Sequence, residues 1–264
     1  MSKSLIPAQR RERIQDYLSV KKIVRTADLC ALVSASEATV RRDLESLEQD
    51  GLLERTHGGA ILNQRMAFEA GYQQRAASFP EEKRMIGEFA ASFIQKGDIV
   101  FVNSGTTTTQ VLLHVRHDPS ISIFTNNLSG ALEVGDAGFN YCVVGGEFQP
   151  LSNSLVGRFA IENLAHVYAD KSILGVDGIS LKHGCTVPSN AEAEVVRQMI
   201  KQTRGEVFVV ADHSKWGVVS NFQIAPIDEV DRLITDSAFD PEAIDSLGAR
   251  GVQLLIAAPN HANT

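Results

Sequence analysis

Apolar positions along the chain follow two different periods, and the change from one to the other divides it. Over 10–20, Ile14, Tyr17 and Leu18 recur at helical spacing, and over 26–33 Ala27, Leu29, Leu32 and Val33 form the apolar side of a short second helix. A third helix begins after Ser36, a preferred N-cap, and carries Val40, Leu44 and Leu47 at i, i+4 and i+7 before Gly51, where a left-handed C-terminal residue is favoured. Only Ser34-Ala35 separates the second helix from that cap, which suits the tight turn of a helix-turn-helix. Residues 52–62 then read as two short strands around Gly58-Gly59, a hairpin able to lie beside the third helix as a wing.

Residues 63–79 show no sustained apolar period and read as a linker, after which Pro80 opens a helix bearing Met85, Ile86, Phe89, Ala90, Phe93 and Ile94. From there, near-continuous apolar runs at 99–102, 121–124, 141–144, 172–176, 207–211, 232–235 and 252–256 are interleaved with helical patterns from about 107 and at 128–134, 159–166, 191–202 and 241–247. Strands buried on both faces and alternating with helices predict an α/β domain with a largely parallel, Rossmann-like sheet. The expected organisation is therefore a winged helix-turn-helix over 1–62, a linker over 63–79, an α/β domain over 80–258 and a tail over 259–264.

The polar positions add chemistry to these elements. Opposite Val40, the third helix presents Ala38 and Arg42, flanked by Thr39, Arg41 and Glu45. Hydroxyls and guanidinium groups in the first turns of an inserted helix are what a major-groove reader uses, although a solvated amphipathic helix offers the same pattern. In the second domain ligands are expected at the carboxyl ends of parallel strands. Asn103-Ser-Gly-Thr-Thr-Thr-Thr109 follows the first strand there and opens a helix, so Gly105, its neighbouring amides and the hydroxyls of Ser104, Thr106, Thr107 and Thr108 could cradle a phosphate. Simple helix capping would use the same residues. Asp177, Asp212 and Lys215 also fall at strand ends, where turn chemistry and solvation are the plainer uses of each one alone.

Bulk properties narrow the partners. With 44% hydrophobic and 22% charged residues, the 264-residue chain is long enough for one small and one full-sized domain. Its net charge of −7 is uneven: 1–62 holds ten Lys/Arg against nine Asp/Glu, leaving fifteen against twenty-three for the rest. The acidity thus belongs to the second domain, and a DNA-binding head needs only a local basic face. Residues 1–9 lack an apolar core and no run is long enough to cross a bilayer, so a cytoplasmic protein without membrane contact is expected. Cys30, Cys142 and Cys185 are scattered and expected to be free thiols. Neither a dinucleotide fingerprint nor a phosphate-loop motif occurs, and His114 with His117, or His183 with Cys185, lacks further ligands for a metal.

The run Thr39-Val-Arg-Arg-Asp-Leu-Glu-Ser-Leu47, followed by Arg55-Thr-His-Gly-Gly-Ala60, resembles the N-terminal winged helix of the DeoR family of bacterial transcriptional regulators. Much of 75–256 resembles that family's effector domain, through Arg75, Lys83, Gly97-Asp98, Ser104-Gly-Thr-Thr107, Thr125-Asn126, Gly145-Gly146, Asp177-Gly178, Glu192-Ala-Glu-Val195 and Asp212-His-Ser-Lys215. The resemblance implies operator contacts from Thr39, Arg41 and Arg42 below the Ser36 cap, with Arg55, His57 and the Gly58 and Gly59 amides against the DNA backbone. It implies a phosphorylated sugar near Ser104, Gly105, Thr106, Thr107 and Thr108, faced by Asp177 and Lys215. The effector domain is similar in turn to ribose-5-phosphate isomerase, and a sugar-phosphate isomerase with an accessory head is the rival reading. The isomerase's glycine-rich lysine loop is missing, and Ile179-Ser180 follows Asp177-Gly178 where a second acidic group is wanted. The expectation is a repressor rather than an enzyme: no cofactor or metal, double-stranded operator DNA as one partner, a sugar phosphate as the other, and a homodimer or homotetramer to match paired half-sites.

Overall fold

A computed structural model describes residues 7–21, 23–49, 53–56, 59–62, 71–241 and 243–258. The chain divides into two compact units, Met1–Glu69 and Ala70–Thr264.

The first unit holds α1 (Pro7–Lys21), β1 (Ile23–Arg25), α2 (Thr26–Val33), α3 (Glu37–Gln49), β2 (Leu53–Thr56) and β3 (Gly59–Leu62). Its strands form one antiparallel sheet in the order β1-β3-β2. The helical period of the sequence becomes a single small core of Ile14, Leu18, Val24, Leu29, Val33, Val40, Leu44, Leu47 and Ala60. Ser34 ends α2 in the left-handed region (φ 51), which lets three residues, 34–36, reverse the chain into α3. Gly59 is dictated by close approach: a Cβ there would stand 1.9 Å from the Val24 carbonyl oxygen.

The second unit opens with α4 (Tyr72–Ala77) and α5 (Pro80–Ala91). There follow β4 (Ile99–Val102), α6 (Thr106–His114), β5 (Ser122–Thr125), α7 (Leu128–Val134), β6 (Asn140–Val143), β7 (Glu147–Gln149), β8 (Ser154–Val156) and α8 (Arg158–Ala165). The rest is β9 (Ala169–Gly175), β10 (Gly178–Ser180), β11 (Gly184–Val187), α9 (Asn190–Lys201), β12 (Thr203–Val210), β13 (Phe222–Ala225), β14 (Arg232–Asp236), α10 (Ala243–Gly248) and β15 (Gln253–Ala257), with single 3₁₀ turns at His213–Lys215 and Ile227–Glu229. Seven strands make one parallel sheet, β15-β14-β12-β9-β4-β5-β6. One face packs residues such as Ile86, Ala90, Val111 and Leu112 from α5 and α6; the other packs Leu164, Val195, Val196, Met199 and Leu247 from α8, α9 and α10. The order of strands reverses direction between β4 and β9, and such a switch point opens a crevice at the carboxyl ends.

Three features depart from the sequence expectation. The segment 63–79, expected as a linker, contains α4, whose six residues are too few and too polar to show a period. The strand-end segments after β9 and β12 are not plain loops, because β10, β11 and β13 form a separate antiparallel sheet. The hairpin β7-β8 was likewise hidden, each strand being three residues long. No disulfide links the three cysteines, and burial pushes the Cys185 thiol up to about 12. No helix among the described residues is long and apolar enough to cross a membrane.

Candidate functional site

In the first unit, α3 is held from behind and left open in front. Asp43 stands three residues after Val40 and one before Leu44, on the buried stripe, and is 6% exposed. Arg10 of α1 closes on it with both arms, Nε to Oδ2 at 2.8 Å and a second nitrogen to Oδ1 at 3.1 Å. That hydrogen-bonded carboxylate raises the Arg10 pKa further above its ordinary value. Arg11 donates to Ser46 Oγ at 2.6 Å, giving α1 and α3 a second polar tie. At the start of α3, Ser36 Oγ accepts weakly from the Thr39 amide (3.4 Å) and the two hydroxyls lie 2.9 Å apart. Arg41 pairs with Glu37 at 2.6 Å, whereas the exposed Arg42 forms no hydrogen bond or ion pair among the described residues. Arg42 is thus the guanidinium of the pair left available to a partner.

His57 and Gly58 lie outside the described residues, as does the Arg55 side chain. Gly59 is buried between Arg25 and Thr56 in the sheet register, so its lack of a side chain is explained by packing against β1.

In the second unit, a cavity opens at the β4/β9 switch point. It is lined by the loop and first turn Asn103–Thr107, by Arg75, Lys83, Asp177, Glu192 and Lys215, and by Asn126 and Ser152 at its side. Asn103 forms its floor: Nδ2 donates to the Gly175 carbonyl (2.9 Å) and Oδ1 accepts from the Gly175 amide (2.7 Å). A carboxylate could not make both bonds. Asn126 fixes the next residue, its Oδ1 accepting from the Ser104 amide at 2.9 Å while Nδ2 donates to the Leu155 carbonyl. The first amides of α6 have no carbonyl within their own helix to bind. Together with the positive end of the helix dipole they form an anion seat.

Three cations surround that seat. Arg75 reaches from α4 to Asp177 at 3.5 Å. Lys83 is 4% exposed and donates to the carbonyls of Arg75 (2.5 Å) and Ser78 (2.6 Å), with Asp212 Oδ2 3.9 Å away. Burial pushes the Lys83 ammonium down to about 8, and the pull of Asp212 only partly opposes it. Asp212 spends Oδ1 on the amide and hydroxyl of Ser214, while the buried Oδ2 has no hydrogen-bond partner. Lys215, at the end of the 3₁₀ turn that Asp212 caps, forms no ion pair among the described residues.

Of the residues expected from sequence, Ser104, Gly105, Thr106, Thr107, Asp177 and Lys215 are brought together in this cavity. Thr108 is not: it is fully buried, and its hydroxyl donates to the Gly105 carbonyl at 3.1 Å. Two residues into the helix, the side chain has rotated from the cavity towards the sheet. Gly105 is extended (φ 160), so the turn into α6 does not draw on a left-handed conformation. Arg75, Lys83, Asn103, Asn126, Ser152 and Glu192 line the cavity without having been assigned to it by spacing. Lys83 and Glu192 had a legible signal, since each sits on an apolar stripe: Lys83 with Ile86, Gly87 and Ala90, and Glu192 with Val195, Val196 and Met199. Among the described residues no group of three or more His, Cys, Asp and Glu could hold a metal ion.

Comparison with known proteins assigns both units. A DeoR-like helix-turn-helix domain matches residues 10–66, and a DeoR C terminal sensor domain matches 78–237. The HTH-type transcriptional repressor GlcR of Bacillus subtilis is 36% identical, over 92% of this chain and 93% of its own length. The HTH-type transcriptional regulator GlpR of Haloferax volcanii is 32% identical, over 95% of this chain and 98% of its own. Among solved structures, ribose 5-phosphate isomerase from Plasmodium falciparum aligns with 52% of each chain at 13% identity and a TM-score of 0.38.

Proposed function

Because the chain belongs to the DeoR family of transcriptional regulators, with a DNA-binding helix-turn-helix and a small-molecule sensor domain, we propose that it represses a sugar-metabolism operon and is released from its operator by a phosphorylated sugar. It is a regulator and not an enzyme. The observation that carries the effector reading is the cavity itself: a helix N-terminus with unused hydroxyls at Ser104, Thr106 and Thr107, beside Lys215, is suited to a phosphate. Asp177, Glu192 and the amides around them are suited to the hydroxyls of the attached polyol. In the first unit, Thr39, Arg41 and Arg42 below the Ser36 cap read the operator's major groove, and Arg55, His57, Gly58 and Gly59 lie along its backbone. The protein works in the cytoplasm as a homodimer or homotetramer, paired heads matching paired half-sites.

Release is a linkage effect, so effector and operator must weaken each other by the same factor, typically tenfold or more. The direct test is fluorescence anisotropy on duplexes tiled across the protein's own upstream region, with a panel of sugar phosphates and their unphosphorylated sugars. One tile bound tightly and released by one phosphorylated sugar is the expected result. Turnover of a sugar phosphate with no tile bound above random DNA would overturn it. Lys215→Ala is expected to bind the operator as wild type does and to lose release; normal release in that variant would place the anion elsewhere.

A further inference from the structure

The amide seat in the second unit is wired to the first element of that unit by a directed chain of hydrogen bonds. Thr109 Oγ1 donates to the Gly105 carbonyl at 2.9 Å, and Gly105 lines the cavity. A hydroxyl has one proton, so the other two contacts of Thr109 Oγ1 must be accepted ones. They come from Asn127 Nδ2 at 2.9 Å and from the Tyr72 hydroxyl at 2.8 Å. While Thr109 donates to Gly105, the hydrogen bonds run one way: Tyr72 O–H to Thr109 O–H to the Gly105 carbonyl. Burial raises the Tyr72 pKa, which keeps its phenol a protonated donor. The backbone of Tyr72 is pinned as well, its amide donating to the Leu151 carbonyl at 2.9 Å.

A second arrangement of the same atoms is within reach. The Tyr72 hydroxyl also faces Glu133 Oε1 at 3.4 Å. If it donates there, the Tyr72 oxygen is open to a proton from Thr109, which can turn to it and release Gly105, whose carbonyl still keeps the Thr108 hydroxyl and the Thr109 amide. Two discrete hydrogen-bond directions, one gripping the cavity loop and one not, are the kind of element that an effector and a distant site can both bias. In sequence Tyr72 stands three residues after Glu69, where the first unit ends.

We propose that Tyr72 is a positioning residue that couples operator binding to the effector cavity, through Thr109 and the Gly105 carbonyl. This rests on reading the cavity as the effector site, and the test separates the two. Hydrogen exchange of the amides at 104–109 is followed in full-length protein with and without the operator duplex found by tiling, for wild type, Tyr72→Phe, Thr109→Val and Thr109→Ser. Operator is expected to change exchange at these amides roughly fivefold or more in wild type and in Thr109→Ser, which keeps the hydroxyl. Tyr72→Phe and Thr109→Val are expected to abolish that response while binding operator with unchanged affinity. An equal response in Tyr72→Phe, or none in wild type, would overturn the proposal. If the exchange response behaves as expected but no sugar phosphate releases the operator, the effector reading fails and the coupling stands.

Discussion

Each unit carries an ion pair with a buried carboxylate, and the two are built in opposite ways. Arg10–Asp43 is closed: two bonds of 2.8 and 3.1 Å in fork geometry join α1 to α3. Lys83–Asp212 is open: the charges stay 3.9 Å apart, Lys83 spends donors on two carbonyls, and one oxygen of Asp212 is left without a hydrogen bond. A closed pair holds helices together, whereas an open one whose lysine lines a cavity keeps unmet capacity for something else. The first is suited to a head that must present a rigid face to DNA, the second to a sensor that must change when a ligand arrives.

The largest effect expected from breaking this contrast is on the closed pair. Asp43→Ala should destabilise the first unit by about 1.5–3 kcal/mol, because it removes the acceptor of two charge-assisted hydrogen bonds, and urea unfolding would measure the loss. Removing both open-pair charges with Lys83→Met and Asp212→Asn should cost about 1 kcal/mol of stability, from the Arg75 and Ser78 carbonyls that lose the lysine's donors, since the poorly compensated pair itself contributes little. The same double variant should lose effector release while keeping the operator, and a large drop in stability would show the pair to be structural.

Next in size is Arg42→Ala, which should weaken operator binding by about 1–3 kcal/mol if the side chain meets a base. Unchanged anisotropy would show that the exposed face of α3 is not the reading face. A smaller, several-fold effect is expected from pH. With Lys83 held near 8 in the fold, raising pH from 7 to 9 discharges it in the free protein, so effector affinity should fall. Stability should move the other way. The unfolded chain keeps its lysine proton up to an ordinary 10.5 and so binds more protons than the native state between about 8 and 10.5, and Lys83's contribution therefore rises with pH there. Lys83→Met should flatten both trends. The smallest effect belongs to Glu37→Ala, which frees the exposed Arg41 at a cost of about 0.3–0.5 kcal/mol in helix stability.

How far the sequence foreshadowed these pairs depends on length and period. The parallel sheet was legible because runs such as Ile99–Val102 are wholly apolar and recur between helices. The core of the head was legible because Val40, Leu44 and Leu47 keep one period. Charges placed on those same stripes, Asp43, Lys83 and Glu192, mark sites where burial needs a partner, and they were the unread part of a readable pattern. By contrast, α4 carries Arg75 and Tyr72 in six residues with no buried member, so no period could announce it. Ser152 reaches the cavity from a hairpin whose strands are three residues each, and only the folded chain brings it beside Asn126.

The floor of the cavity has one more consequence, for how such a sensor changes its taste. Asn103 and Gly175 are locked edge to edge, and a side chain on Gly175 would press within 3.2 Å of Thr108 Cγ2. Substitution there must first displace the Thr108 side chain. The rim is different: Arg75, Asp177 and Lys215 sit on three separate segments, and none of them bonds to the floor. A lineage exploring new effectors therefore has a fixed anvil and a replaceable set of tools around it, and divergence in ligand preference should accumulate on the rim.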